Sequence, residues 1–234
     1  MYSRELDGQV TTFGVSGKLI RNVMVMYDRQ TGSLWSQLLG EAIDGEFEGT
    51  KLEFLPSWMM TWQEWKTRHP ETLALVKGYS GGSDPYEAYY ETDQAGVLGE
   101  DRQDDRLPTK QFVVGVALGD ESVAYPWSVL NLEPVVNDVL NGTPLLVVFG
   151  EDTATGVVFE RELNGQVLTF SLGDPDTLML TDAETGSTWD GLAGRAVAGP
   201  LAGEQLDWVK STASFWFGWK DWYPETRVYG QDEK

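Results

Sequence analysis

The sequence predicts an α+β protein, mainly β, made of two pseudo-symmetric repeats of strands and hairpins, each with one short tryptophan-rich helix. Three observations carry that expectation. One passage occurs twice: Asp28-Arg29-Gln30-Thr31-Gly32-Ser33-Leu34-Trp35 returns as Asp182-Ala183-Glu184-Thr185-Gly186-Ser187-Thr188-Trp189. Short β-rich runs alternate with Asp-Gly and Asn-Gly turn signals, as hairpins require. Trp58, Trp62 and Trp65 fall on one helical stripe that Pro70 terminates.

The duplicated passage continues without a gap. Gly40, Ala42, Gly45, Gly49 and Leu52 return as Gly194, Ala196, Gly199, Gly203 and Leu206. Trp62, Trp65, Lys66 and Pro70-Glu71-Thr72 return as Trp216, Trp219, Lys220 and Pro224-Glu225-Thr226. Upstream, Arg4-Glu5-Leu6-Asp7-Gly8-Gln9-Val10 pairs with Arg161-Glu162-Leu163-Asn164-Gly165-Gln166-Val167. Such self-similarity supplies an internal control. Residues kept in both copies are candidates for fold, and polar residues kept in one copy are candidates for function.

Taken in order, Tyr2 to Val25 reads as strands joined by turns, with Asp7-Gly8 at a hairpin tip. Val23 to Tyr27 is an apolar strand, Gln30 to Ser33 a turn, and Leu34 to Ile43 a return strand. Thr61-Trp62-Gln63-Glu64 fits a helix capping box. The tryptophans of both copies are expected to be core, Trp35, Trp62 and Trp65 matching Trp189, Trp216 and Trp219. Residues 77–108 read as a long polar connection. Gln111 to Leu118 is a strand that Gly119-Asp120 turns into Val123 to Pro126. Val135 to Leu140 and Leu145 to Phe149 flank the hairpin signal Asn141-Gly142. The organisation expected is repeat one over 1–78, an acidic connection over 79–106 and repeat two over 107–234, in one body.

The net charge of −20 comes from 37 acidic against 17 basic residues. It disfavours nucleic acid, whose phosphates need a positive field. A solvated surface and an adaptation to high salt both fit it, and lysine is scarce. With no cysteine, thiolate catalysis, disulfides and cysteine-held metals are excluded for this polypeptide. A single histidine, His69, excludes a three-histidine metal site. The residues point to no cofactor and no metal; Met24 and Met26 align with Leu178 and Leu180 and read as core fillers, not copper ligands. No apolar run is long enough to span a membrane, and nothing at Met1-Tyr2-Ser3-Arg4 resembles a signal peptide. An export signal, and with it an extracytoplasmic location, would have to precede Met1.

Repeat two has a lead-in from Leu107 to Val157 that repeat one lacks, and the expectation is loss from repeat one. Val15-Ser16-Gly17, Val25-Met26-Tyr27-Asp28-Arg29-Gln30-Thr31, Ser33-Leu34-Trp35-Ser36-Gln37 and Gly40-Glu41-Ala42-Ile43 resemble the most recognisable stretch of domain-of-unknown-function family 3179. Trp62, Trp65, His69-Pro70, Asp84-Pro85-Tyr86, Asp105-Arg106-Leu107 and Ala124-Tyr125-Pro126 continue the pattern. The resemblance implies no activity. It does imply an upstream Cys-Pro-Leu-Cys stretch, which this chain lacks.

Arg29, Ser36, Gln37 and His69 are confined to copy one, where copy two has Ala183, Asp190, Gly191 and Tyr223. As a polar cluster they would combine a guanidinium fork, two neutral hydrogen-bonding groups and a general base or single metal ligand. Asp84 and Tyr86 would form a rim. The plainer reading gives Arg29 a nearby acid and His69 a helix end. Two functions stay open. One is a binding or scaffold module for a small molecule or protein, a role that would suit the cell surface. The alternative is a metal/redox or hydrolytic protein whose site needs the upstream cysteine segment.

Overall fold

The computed structural model describes residues 1–76, 86–174 and 177–231. The first half runs β1 (Glu5–Leu6), β2 (Gln9–Val10), β3 (Phe13–Ile20), β4 (Val23–Asp28), β5 (Leu34–Ser36), β6 (Glu41–Asp44) and α1 (Trp62–Arg68). A one-turn α2 (Glu87–Tyr90) precedes β7 (Phe112–Leu118), β8 (Glu121–Pro126), α3 (Trp127–Leu130), β9 (Val135–Leu140), β10 (Thr143–Gly150) and β11 (Thr155–Glu160). The second half continues with β12 (Glu162–Leu163), β13 (Gln166–Val167), β14 (Phe170–Asp174), β15 (Met179–Asp182), β16 (Thr188–Asp190), β17 (Arg195–Ala198), β18 (Ser211–Phe215), α4 (Trp216–Trp222) and β19 (Arg227–Val228). The fold is α+β and mainly β.

Strand β10 explains the layering. It is buried from Pro144 to Gly150, and an unbroken apolar run belongs to a strand covered on both faces. Leu145, Val147 and Phe149 enter a core with Val114, Val116 and Tyr125. Leu146 and Val148, on the opposite face, enter a core with Phe170, Leu180 and Trp189. The sheet β11-β10-β9 therefore lies between the sheet β18-β7-β8-β19 and the meander β14-β15-β16-β17. Outside them, α4 sets Trp216 and Trp219 against Val113, Ala124 and Val228.

The first half forms a matching meander, β3-β4-β5-β6, with its own small core of Trp35, Ala42 and Leu52. Both meanders pair tryptophan with alanine, Trp35 with Ala42 and Trp189 with Ala196, after the same register shift. The Asp-x-x-Thr-Gly-Ser-x-Trp passage is a buried polar knot in each. The Asp28 carboxylate accepts from the Thr31 amide at 2.6 Å and from the Trp35 indole at 3.0 Å. Asp182 repeats both bonds with Thr185 at 2.6 Å and Trp189 at 2.8 Å. Burial by itself raises both carboxyls, but the bonds from tryptophan and threonine outweigh it and hold them below the usual carboxylate value.

Two elements differ from the sequence reading. Leu34 to Ile43 is not one strand, because the chain turns at Gly40 with φ +68°. A Cβ there would meet the Tyr2 ring at 2.2 Å, just as one at Gly194 would meet Phe159 at 2.5 Å. The connection is also fastened over part of its length. The Asn22 amide donates to Gly99 at 2.6 Å, and Arg21 pairs with Asp101 at 3.2 Å. On the other side, Asp221 accepts the backbone amides of Asp101 and Arg102 at 3.0 and 3.2 Å.

Candidate binding site

Helices α1 and α4 occupy matching frames with opposite surroundings. Their caps coincide in conformation: Thr61 has φ −63°, ψ 147° and Phe215 has −69°, 151°. His69 has −130°, 71° and Tyr223 has −127°, 70°. The Trp65 indole donates to Thr72 at 2.8 Å and the Trp219 indole to Thr226 at 3.0 Å. Thr61 caps α1 by accepting the Glu64 amide at 3.3 Å, the forward half of a capping box. Yet α1 buries none of its residues, whereas α4 buries all but the last.

What covers α4 accounts for the difference. The β7–β8 hairpin is inserted between β18 and β19, with Val116 to Phe112 antiparallel to Ser211 to Phe215. Strand β8 lies parallel to β19, Val123 and Ala124 facing Arg227 and Val228. Among the described residues nothing takes that place beside α1. Trp62 is 54% exposed, and Leu73 and Val76 are 93% and 88% exposed. The expectation of buried tryptophans thus holds for Trp35, Trp189, Trp216 and Trp219 and fails for Trp62; Trp65 is half-buried. The failure is tertiary. The same stripe has a sheet to pack on in one half and, among the described residues, none in the other.

The copy-one polar residues are dispersed. Arg29 lies in the β4–β5 turn, donates to the Phe13 carbonyl and sits over the Tyr27 ring at 5.7 Å. Ser36 is fully buried, its hydroxyl accepting the Leu39 amide at 3.4 Å. Gln37 is exposed past the other end of β5, in a cleft of about 520 Å³ with Met1, Tyr2, Trp58 and Lys210. His69 ends α1, its ring 4.2 Å from Trp65 and 5.8 Å from Trp58. Its buried Nε2 has no hydrogen-bond partner. Trp58 links two of these places, lining the Gln37 cleft and stacking on His69. Of the expected rim, Tyr86 is exposed at the start of α2, and Asp84 lies outside the described residues.

Tyr223 takes the place of His69 in the second half and packs tilted against Trp219 at the same 4.2 Å. Both residues therefore serve first as ring caps on a tryptophan. Among the described residues, no group of three His, Cys, Asp or Glu side chains could hold a metal. Likewise no helix among them is long and apolar enough to cross a membrane.

The sequence model of the family described as "Protein of unknown function (DUF3179)" matches residues 1–226. The chain belongs to this family. No curated protein and no solved structure matches the chain. Family membership therefore fixes kinship and leaves the chemistry to the structure. Residue-by-residue reading of the two copies missed the open face, because Trp62, Trp65 and Lys66 are kept in both. Leu73-Ala74-Leu75-Val76 was the available signal: an apolar run where the second half has Arg227-Val228-Tyr229-Gly230.

Proposed function

We propose that the protein is a non-catalytic binding or scaffold module whose binding face is the open side of α1 and the chain that follows it. The observation that carries this reading is the contrast between α1, with no buried residue, and α4, buried along its length in an otherwise matching frame. Met59, Trp62, Leu73, Leu75 and Val76 are all exposed around it. Apolar side chains grouped in this way mark interaction surfaces. The dispersal of Arg29, Ser36, Gln37 and His69 favours binding over catalysis, since acid–base chemistry needs its groups within hydrogen-bond reach.

A photo-crosslinking amino acid at position 62 tests this directly in producing cells. Position 62 should yield a discrete crosslinked species, and Trp62→Glu and Leu75→Glu should leave the isolated protein as stable as the parent, within about 0.5 kcal/mol. No crosslinked species, or a large loss of stability in either variant, would show the face to be ordinary surface or core.

A further inference from the structure

The cleft that holds Gln37 differs in charge from the rest of the molecule. The chain carries 37 acidic side chains, yet no Asp or Glu lines this cleft of about 520 Å³. Its one charged side chain is Lys210, just before β18. The two halves meet here: Gln37, Leu38 and Trp58 come from the first, and Lys210 to Ser214 from the second.

Lys210 is held in place but left without a counter-charge. Its ammonium donates to the Leu39 carbonyl at 2.8 Å and lies 5.1 Å from the centre of the Tyr2 ring. Tyr2 is itself fixed, its hydroxyl donating to the Leu38 carbonyl at 2.7 Å. The nearby Glu41 pairs with Lys51 at 3.6 Å, and Lys210 forms no ion pair among the described residues. Burial lowers the pKa of Lys210, and the positive Lys51 lowers it further. An anion entering the cleft would oppose both effects.

Other donors border the same space. The side-chain amide of Gln37 has no hydrogen-bond partner among the described residues. Strand β18 is the edge of its sheet, bonded to β7 on one side only. Alternate amides along it therefore point away from β7, and Ser211 to Ser214 all line the cleft. One cation, a free amide and outward backbone N–H groups are what a carboxylate accepts. A phosphate dianion would bring more charge than one lysine offsets, in a chain of net charge −20. Leu38, Phe54 and Trp58 add an apolar wall, and the volume suits a small molecule.

We propose that this cleft binds a small organic carboxylate, its acid group on Lys210 and Gln37 and its apolar body against Leu38, Phe54 and Trp58. Trp62, Leu73, Leu75 and Val76 do not line the cleft, so the site stands apart from the binding face of α1.

The probes are benzoate, its neutral isostere benzamide and inorganic phosphate, each titrated into the full chain by calorimetry. Reductive methylation of every lysine, mapped by mass spectrometry, reports which ammonium a probe covers. Benzoate should bind saturably and slow methylation at Lys210 selectively, and benzamide should bind about tenfold more weakly or worse. Lys210→Gln keeps a donor for the Leu39 carbonyl and should abolish the preference for benzoate. Lys210→Arg keeps the charge and should retain that preference. Gln37→Leu should weaken benzoate about fivefold, the worth of one hydrogen bond. No saturable binding of benzoate, equal binding of benzamide, or protection spread over other lysines overturns the proposal. Phosphate binding more tightly than benzoate makes the cleft a phosphate site and overturns it as well.

Discussion

The indole Nε1 of Trp35 donates to the buried carboxylate of Asp28 at 3.0 Å, across a turn that brings residues seven apart into contact. Trp189 and Asp182 make the same bond at 2.8 Å. A buried carboxylate is tolerated only where donors replace water, and here the tryptophan that fills the core also supplies one. Trp35→Phe keeps most of the apolar volume and removes that donor. Loss of about 1–3 kcal/mol is expected for Trp35→Phe and for Trp189→Phe, read from denaturant unfolding. A neutral outcome at both sites would mean that the bonds add nothing to stability.

The same carboxylates set a pH dependence. Both titrate below their usual value in the folded state, despite burial that opposes the shift. Their contribution is therefore present above the unfolded carboxyl value near 3.9 and is lost as pH falls through the lower folded values. Thermal midpoints should drop more steeply on acidification in the parent than in an Asp28→Asn, Asp182→Asn double variant. Parallel curves would assign acid unfolding to other groups.

Matched tryptophans should respond unequally. Trp216→Ala removes a fully buried ring and should destabilise by about 3–5 kcal/mol. Trp62→Ala, at the matching position on α1, should stay within about 0.5 kcal/mol. Equal losses would mean that the face of α1 is packed in solution.

The lysine pair should diverge in the same way. Lys220 is buried between Glu100 and the neighbouring Asp221, which lies 3.4 Å away. Removing one member of a buried pair strands the other charge, so Lys220→Ala should cost about 3–5 kcal/mol. The exposed Lys66 should tolerate the same change with little loss. A tolerant Lys220 would show that the acidic connection is held by its backbone bonds alone.

Much of the fold could be read from residues 28–35 and 182–189, because a turn signature followed by tryptophan acts locally. Asp-x-x-Thr-Gly-Ser closes its own hydrogen bonds within a few residues, so the same letters produce the same knot in both halves. Gly40 and Gly194 were legible as special backbone positions, but not as the points where the chain turns under Tyr2 and Phe159. The functional residues read less well. Ser36 and Arg29 look equally polar in sequence, yet one is sealed in a strand and the other lies exposed on a turn.

The sequence by itself determined most of the strand and turn units, the Thr61 cap of α1 and the Asp-x-x-Thr-Gly-Ser-x-Trp turn of each half, since these rest on contacts between near neighbours. Only the tertiary structure decided which helix face is core. Trp62 and Trp216 sit in matching local frames, but burial depends on whether a distant hairpin arrives to cover them. Phe112–Pro126 covers Trp216, and no described segment covers Trp62.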